Sequence, residues 1–255
     1  MSEALQHHTQ TTALAPPPIN PLEGLEGFDD TPLKPAEFEL VQFMSKTEGA
    51  IPGTLRNRRT GEHFKELRVV PVKYWQGRVL FPPGNDFTAK PMCKSFNGVE
   101  PIQGENLVPQ SPKCITCDFG PRSWKNNKTP PRCKETYRWL MIDVESGLPF
   151  FLTVKGTSIK ATKQVINALK EYCIKARIKG DNRNLYDFVL TLKPLYETSK
   201  NGKWYSVTYT DIAKIAEVGK YAELYRQLTT RPLEDVEGES EGQVEEVIES
   251  ALEEV

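Results

Sequence analysis

Four of the five cysteines, Cys93, Cys114, Cys117 and Cys133, stand at the spacing C-x20-C-x2-C-x15-C, while Cys173 sits apart. Four thiolates can bind one Zn2+ tetrahedrally, and a C-x2-C turn brings two of them to the same ion while its backbone amides offset their charge. Closing such a site contributes roughly 10–16 kcal/mol in small zinc modules, enough to order a segment with little core of its own. The spacing therefore predicts a structural zinc held by all four. The competing reading is a set of incidental thiols with a redox pair at Cys114-Ile115-Thr116-Cys117, which leaves Cys93 and Cys133 without a role. Catalytic zinc is disfavoured, because such sites keep a water position and favour histidine, and the histidines are His7, His8 and His63. His63 reads as an ordinary loop residue and Cys173 as a small apolar side chain on a helix.

A second pattern interleaves basic and aromatic residues. It recurs at Lys73-Tyr74-Trp75 with Arg78, at Arg122-Ser123-Trp124-Lys125, at Arg132 with Lys134, at Tyr137-Arg138-Trp139 and at Lys203-Trp204-Tyr205, and a basic cluster holds Arg56, Arg58 and Arg59. Aromatic rings stack on unpaired bases at roughly 1–3 kcal/mol per base, and Lys or Arg follow the phosphates without reading sequence. Strand alternation sends about half of these rings into a core, Trp139 among them, and leaves one of Trp204 and Tyr205 exposed. Trp124 lies in the polar cysteine segment, where there is little core to fill. The run Lys155-Gly156-Thr157-Ser158-Ile159-Lys160 joins a strand to a helix start; it lacks the spacing of a phosphate loop, and a helix cap is the plainer reading, with Lys155 and Lys160 near any bound phosphate.

The formal net charge of −1 over 255 residues hides a partition. Residues 231–255 carry ten acidic side chains against Arg231, and the first 30 carry five acids with no Lys or Arg. That leaves 32 basic and 19 acidic residues in 31–230, a net +13. A basic body joined to an acidic tail suits a protein that handles a polyanion. A solvated surface with a solubilising tail is the blander reading. No clustered Asp and Glu pair for two-metal chemistry and no Ser/His/Asp or Cys/His grouping is present, so a non-enzymatic protein is expected. The longest apolar stretches, such as Leu148–Val154, fall far short of the roughly 20 residues of a membrane-spanning helix. With no secretory pattern at the start, a cytoplasmic protein is expected.

These residues need elements to position them. Residues 1–30, rich in Pro, Gly, Thr and Gln, are expected to be disordered, and 231–255 to be a flexible acidic tail. Between them, 31–230 read as one domain. Residues 35–47 suit a short helix or strand and 49–64 a loop. A strand over 66–75 carries Pro71 at an edge or bulge and turns at Gly77 into 78–81. The segment 82–135 has almost no periodicity and is expected to be an insertion organised by the cysteines. Strands at 136–145 and 148–156 form a hairpin, Thr157 and Ser158 cap a helix that ends at Gly180, and 185–197 pairs with 203–210 across an Asn-Gly turn. A last helix is expected over 211–228. Strand-rich α+β with hairpins at this spacing outlines an OB-like small antiparallel barrel with an inserted zinc-binding loop module and a C-terminal helix.

The succession RVLFPPG (78–84), MCKSFNGVEP (92–101), CITCDFG (114–120), PPRCKE (130–135) and LPFFLTVKGTSIK (148–160), with the last hairpin, resembles a group of phage and mobile-element proteins. The likeness covers about residues 66–210. It implies an OB-like barrel with a cysteine zinc insertion and single-stranded DNA binding, and carries the zinc role onto Cys93, Cys114, Cys117 and Cys133. It assigns no DNA-contacting residue. The expectation is a protein that coats single-stranded DNA or RNA, DNA foremost, in replication or recombination, in a host cytoplasm if phage-encoded, with the tail recruiting replication or recombination partners. The alternative is a zinc-dependent adaptor or transcription regulator that binds a protein or duplex DNA.

Overall fold

The computed structural model describes residues 35–42, 49–83, 90–104, 107–123, 128, 130–200 and 202–229. The segments 1–30 and 231–255, together with Trp124 and Lys125, lie outside the described residues, as do the expectations attached to them. Strands β1 (Ala36–Leu40), β2 (Leu55–Asn57), β3 (His63–Phe64), β4 (Leu67–Leu80), β5 (Cys93–Ser95), β6 (Lys134–Asp143), β7 (Pro149–Lys155), β8 (Phe188–Ser199) and β9 (Gly202–Lys214) accompany helices α1 (Ser158–Ile178) and α2 (Ala222–Thr229). The strands form one sheet in the order β3-β2-β1-β7-β6-β4-β8-β9, with β5 beside β4. The sheet curls into a half-barrel, and the fold is mixed α+β with strands dominant, as expected.

Strand β4 is the spine. Its first residues, Leu67 to Val69, pair with β8 on one side, and its last, Arg78 to Leu80, pair with β5, while β6 runs along the other side throughout. Between these two partners Pro71 sits at a register shift, where its missing N–H leaves no ladder bond unmade. The expected turn at Gly77 is absent: β4 continues through it. A Cβ at Gly77 would meet the Ser95 carbonyl at 2.5 Å and the Thr136 hydroxyl at 3.0 Å, so the glycine answers the close approach of the neighbouring strands rather than a turn.

Both faces of this sheet are packed. Trp139, Met141, Phe150, Leu152 and Leu190 face a main core that α1 covers with Val165, Ile166 and Leu169. On the opposite face Val70, Val72, Leu140, Ile142 and Phe151 form a second core, against which Leu224, Tyr225 and Leu228 of α2 pack. Trp139 is fully buried, as alternation predicts. Burying a large apolar side chain contributes about 1.5–3 kcal/mol, so these two layers hold the sheet from both faces.

Four expectations need correction. Residues 36–40 take the strand form, one of the two expected, but it runs parallel to β7, so the sheet is not purely antiparallel. The loop assigned to 49–64 contains β2 and β3, because Leu55 and Phe64 pair and bury apolar side chains. Residues 211–214 extend β9, pairing with Phe188 and Val189, where a helix was expected; tertiary pairing overrides the local helical spacing, and helix begins only at Ala222. Thr157 is the N-cap of α1 without a side-chain capping bond, while the Ser158 hydroxyl accepts a bond from the Val207 N–H of β9 at 2.8 Å. The two hairpins, β6/β7 and β8/β9, and helix α1 form as expected.

Candidate metal centre and nucleic-acid groove

Cys93, Cys114, Cys117 and Cys133 line one small cavity of about 10 Å³ together with Leu80 and Gly120. They come from three local devices. Cys93 opens β5 opposite Leu80 of β4. Cys114 starts a 3-10 turn, and its N–H is held by the Val99 carbonyl at 2.8 Å. Cys117 closes that turn, and the Phe119 carbonyl holds the Cys133 N–H at 2.8 Å. A Cβ at Gly120 would come within 2.6 Å of the Cys114 carbonyl and 3.3 Å of the Cys117 carbonyl, so the knuckle closes only over a residue without a side chain.

All four cysteines are buried and none forms a disulfide. Burial pushes the Cys114 thiol up from its ordinary range, partly offset by a hydrogen bond with Ser95 and by the charge of Arg78. Burial likewise pushes Cys133 up to about 11, again opposed by Arg78. Among the described residues, no group of three or more His, Cys, Asp or Glu side chains stands in an arrangement that holds a metal ion. The donor chemistry nevertheless fits a soft tetrahedral ion: four buried cysteines share one cavity, whose lining is completed by Leu80, Pro101 and Gly120 with the polar side chains of Gln110 and Ser111.

Beside this cavity lies a groove of about 910 Å³. It gathers seven of the residues singled out in the sequence: Arg58, Trp75, Arg78, Arg138, Lys155, Trp204 and Tyr205. They come from five strand or loop regions separated by nearly 150 residues of chain. The ladders explain the floor. Trp75 lies opposite Arg138, and Arg138 opposite Thr153; two positions further along, Gly77 lies opposite Thr136, and Thr136 opposite Lys155. The second core covers this sheet face up to Leu140 and Phe151, and beyond them the face opens into the groove.

The groove is mostly cationic. Arg58 and Lys155 are exposed on its rim, and Glu37 and Glu39 of β1 are the acids that line it. Arg138 bonds Glu37 at 2.5 Å and stacks its guanidinium 4.1 Å over the Phe151 ring, so it is a buried strut as much as a groove-lining charge. Arg56 does not line the groove and pairs with Glu39 at 3.1 Å. Trp75 carries Lys73 5.0 Å over its ring and packs on the second core, so part of its surface is already used. Tyr74 packs against Trp139 in the main core and is not a groove residue. Arg59 and Lys160 are exposed away from it, and Arg122 reaches the Thr116 carbonyl in the cysteine module. Trp204 and Tyr205 are both half-buried, against the expectation that one would be exposed, because the groove sets Trp204 beside Tyr205 while Tyr196 meets Tyr205 edge-on. The buried Trp204 indole N–H has no hydrogen-bond partner among the described residues.

Sequence reasoning missed Phe81, Lys90, Lys94 and Phe96, which line the same groove. The signal was present in Cys93-Lys94-Ser95-Phe96: a strand that buries Cys93 and Ser95 turns Lys94 and Phe96 the other way. Lys94 sits 4.7 Å over the Phe96 ring.

Neither a family model nor a curated protein nor a solved structure matches the chain. Among the described residues, no helix is long and apolar enough to cross a membrane.

Proposed function

We propose that the protein is a non-enzymatic binder of single-stranded nucleic acid, DNA foremost, that protects or organises the strand in replication or recombination. The observation that carries this reading is the groove that gathers Arg58, Arg78 and Lys155 with Trp75, Trp204 and Tyr205. Cations around half-buried rings suit a chain of unpaired bases, with phosphates met by Lys and Arg and bases by ring faces. The curled sheet supports the OB-like reading, since such barrels bind oligonucleotides across their open face. Zn2+ at Cys93, Cys114, Cys117 and Cys133 would act structurally, tying β5 and the 3-10 turn to β4. The acidic tail, with ten acids in 231–255, would compete for the basic groove and recruit basic partners.

Fluorescence titration of a tail-deleted protein with unstructured oligonucleotides tests the reading. Binding that weakens steeply with salt supports it, and absence of salt-sensitive binding overturns it. The adaptor reading draws on one observation, the exposure of Val99, Val108 and Ile115 on the cysteine module, each more than half accessible. Preference for duplex over single strand in the same titration would favour it.

A further inference from the structure

The thiol cavity and the groove share one strand. In β5, Cys93 lines the cavity, while Lys94 and the adjoining Phe96 line the groove. Among the described residues three ladder pairs tie β5 to the sheet, Arg78 with Ser95, Val79 with Lys94 and Leu80 with Cys93, flanked by the Met92 N–H bonded to the Leu80 carbonyl. At one end Cys93 packs with Cys133 and Leu80 in a small cluster of its own, apart from the two cores. At the other end the Ser95 hydroxyl accepts the Gly98 N–H at 3.0 Å, and Ser95 also hydrogen-bonds the Cys114 thiol. Arg78 spans the same boundary: it lines the groove, pairs with Ser95, and its charge bears on Cys114 and Cys133.

From this sharing we propose that β5 couples the four-cysteine centre to the groove, so that a bound Zn2+ sets the position of a nucleotide subsite formed by Lys94 and Phe96. The inference rests on the single-strand reading of the groove. Phe96 offers a ring face to a base and Lys94 a charge to the adjoining phosphate. The metal's part is to fix Cys93, and through it the strand; the rest of the groove, built on β4, β6, β7 and β9, is held by the two cores and needs no metal. A strand with three ladder pairs and no large apolar anchor loosens when that tie is cut.

The test uses the full chain, loaded with one equivalent of Zn2+ under reducing conditions and then stripped with a chelator, and a fluorescent oligothymidylate. Stripping is expected to lower affinity about tenfold, the scale of one lost stacked base and its phosphate contact. Lys94→Ala with Phe96→Ala is expected to lose a similar factor while retaining Zn2+, and then to lose less than about twofold more on stripping. Trp204→Ala is expected to bind more weakly yet keep the full tenfold effect of stripping. Equal affinity of loaded and stripped wild type, or an undiminished stripping effect in the Lys94/Phe96 variant, overturns the coupling. Amide hydrogen exchange on the same samples needs no oligonucleotide: residues 93–96 are expected to lose at least tenfold protection on stripping while 188–192 are unchanged. Failure of the oligonucleotide to bind loaded wild type would sink the groove's assignment, and unchanged exchange at 93–96 would sink the coupling.

Discussion

Gln42 and Tyr205, 163 residues apart, are joined by two hydrogen bonds: the Gln42 side-chain N–H donates to the Tyr205 carbonyl at 2.7 Å, and the Tyr205 N–H donates to the Gln42 side-chain oxygen at 2.9 Å. The side-chain amide takes the part of a neighbouring strand and ties the end of β1 to β9, the far edge of the sheet. Each such bond contributes about 1 kcal/mol net. Gln42→Ala is expected to lower unfolding free energy by roughly 1–3 kcal/mol in urea titration, and to weaken oligonucleotide binding as well, since Tyr205 lines the groove. Unchanged stability would show that the half-barrel does not depend on this tie.

Zinc content divides the cysteines. Cys93→Ser, Cys114→Ser, Cys117→Ser and Cys133→Ser are each expected to lose bound zinc, measured by elemental analysis of purified protein, whereas Cys173→Ser retains one ion per chain. The physical ground is that the four line one cavity while Cys173 lies on α1. Retention of a full equivalent in any of the first four variants would contradict a tetrathiolate site.

Gly120→Ala is a sharper probe of the same knuckle. Its Cβ would press on the Cys114 and Cys117 carbonyls, which are backbone and cannot swing away. Overpacking of this kind costs roughly 1–3 kcal/mol. The expected result is earlier loss of zinc to a competing chelator, with little change in the unfolding of the strands that carry Trp139.

The two buried or half-buried tryptophans should part company. Trp139→Ala removes a fully buried ring from the main core and is expected to destabilise by about 3–5 kcal/mol. Trp204→Ala is expected to leave the thermal midpoint nearly unchanged while weakening oligonucleotide binding by about tenfold, the cost of one stacking ring. Equal loss of stability in both would return Trp204 to the core.

Alkaline stability offers a further check. Burial, and then the adjacent Glu135 carboxylate, push the Tyr137 hydroxyl up to about 12 from the usual tyrosine value of about 10. Above pH 10 the unfolded chain releases a proton that the folded chain keeps, so the stabilisation present below pH 10 is lost as pH rises towards 12. The urea midpoint is expected to fall between about pH 10 and 12, and Tyr137→Phe to flatten that fall. A midpoint independent of pH over this range would contradict the burial of Tyr137 against Glu135.

The sequence was most informative where one rule acted alone. Four cysteines across 41 residues came to one cavity. Alternation placed Trp139 inside, and turn residues placed both hairpins. It misled where partners far along the chain decide. Gly77 reads as a turn until β5 and β6 crowd its α-carbon, and 211–214 read as helix until β8 pairs with them. Arg138 reads as a free cation, yet Glu37, about a hundred residues earlier, claims it. Lys94 and Phe96 went unseen because the alternation that marks them spans only a three-residue strand between Pro and Gly.

Equilibrium competition between single-stranded and duplex DNA of the same sequence, across a range of salt, bears most directly on the account. Tighter binding of the single strand by at least about tenfold, with affinity falling linearly against the logarithm of salt concentration, is the predicted result. No binding to the single strand, or equal or tighter binding to the duplex, would contradict it.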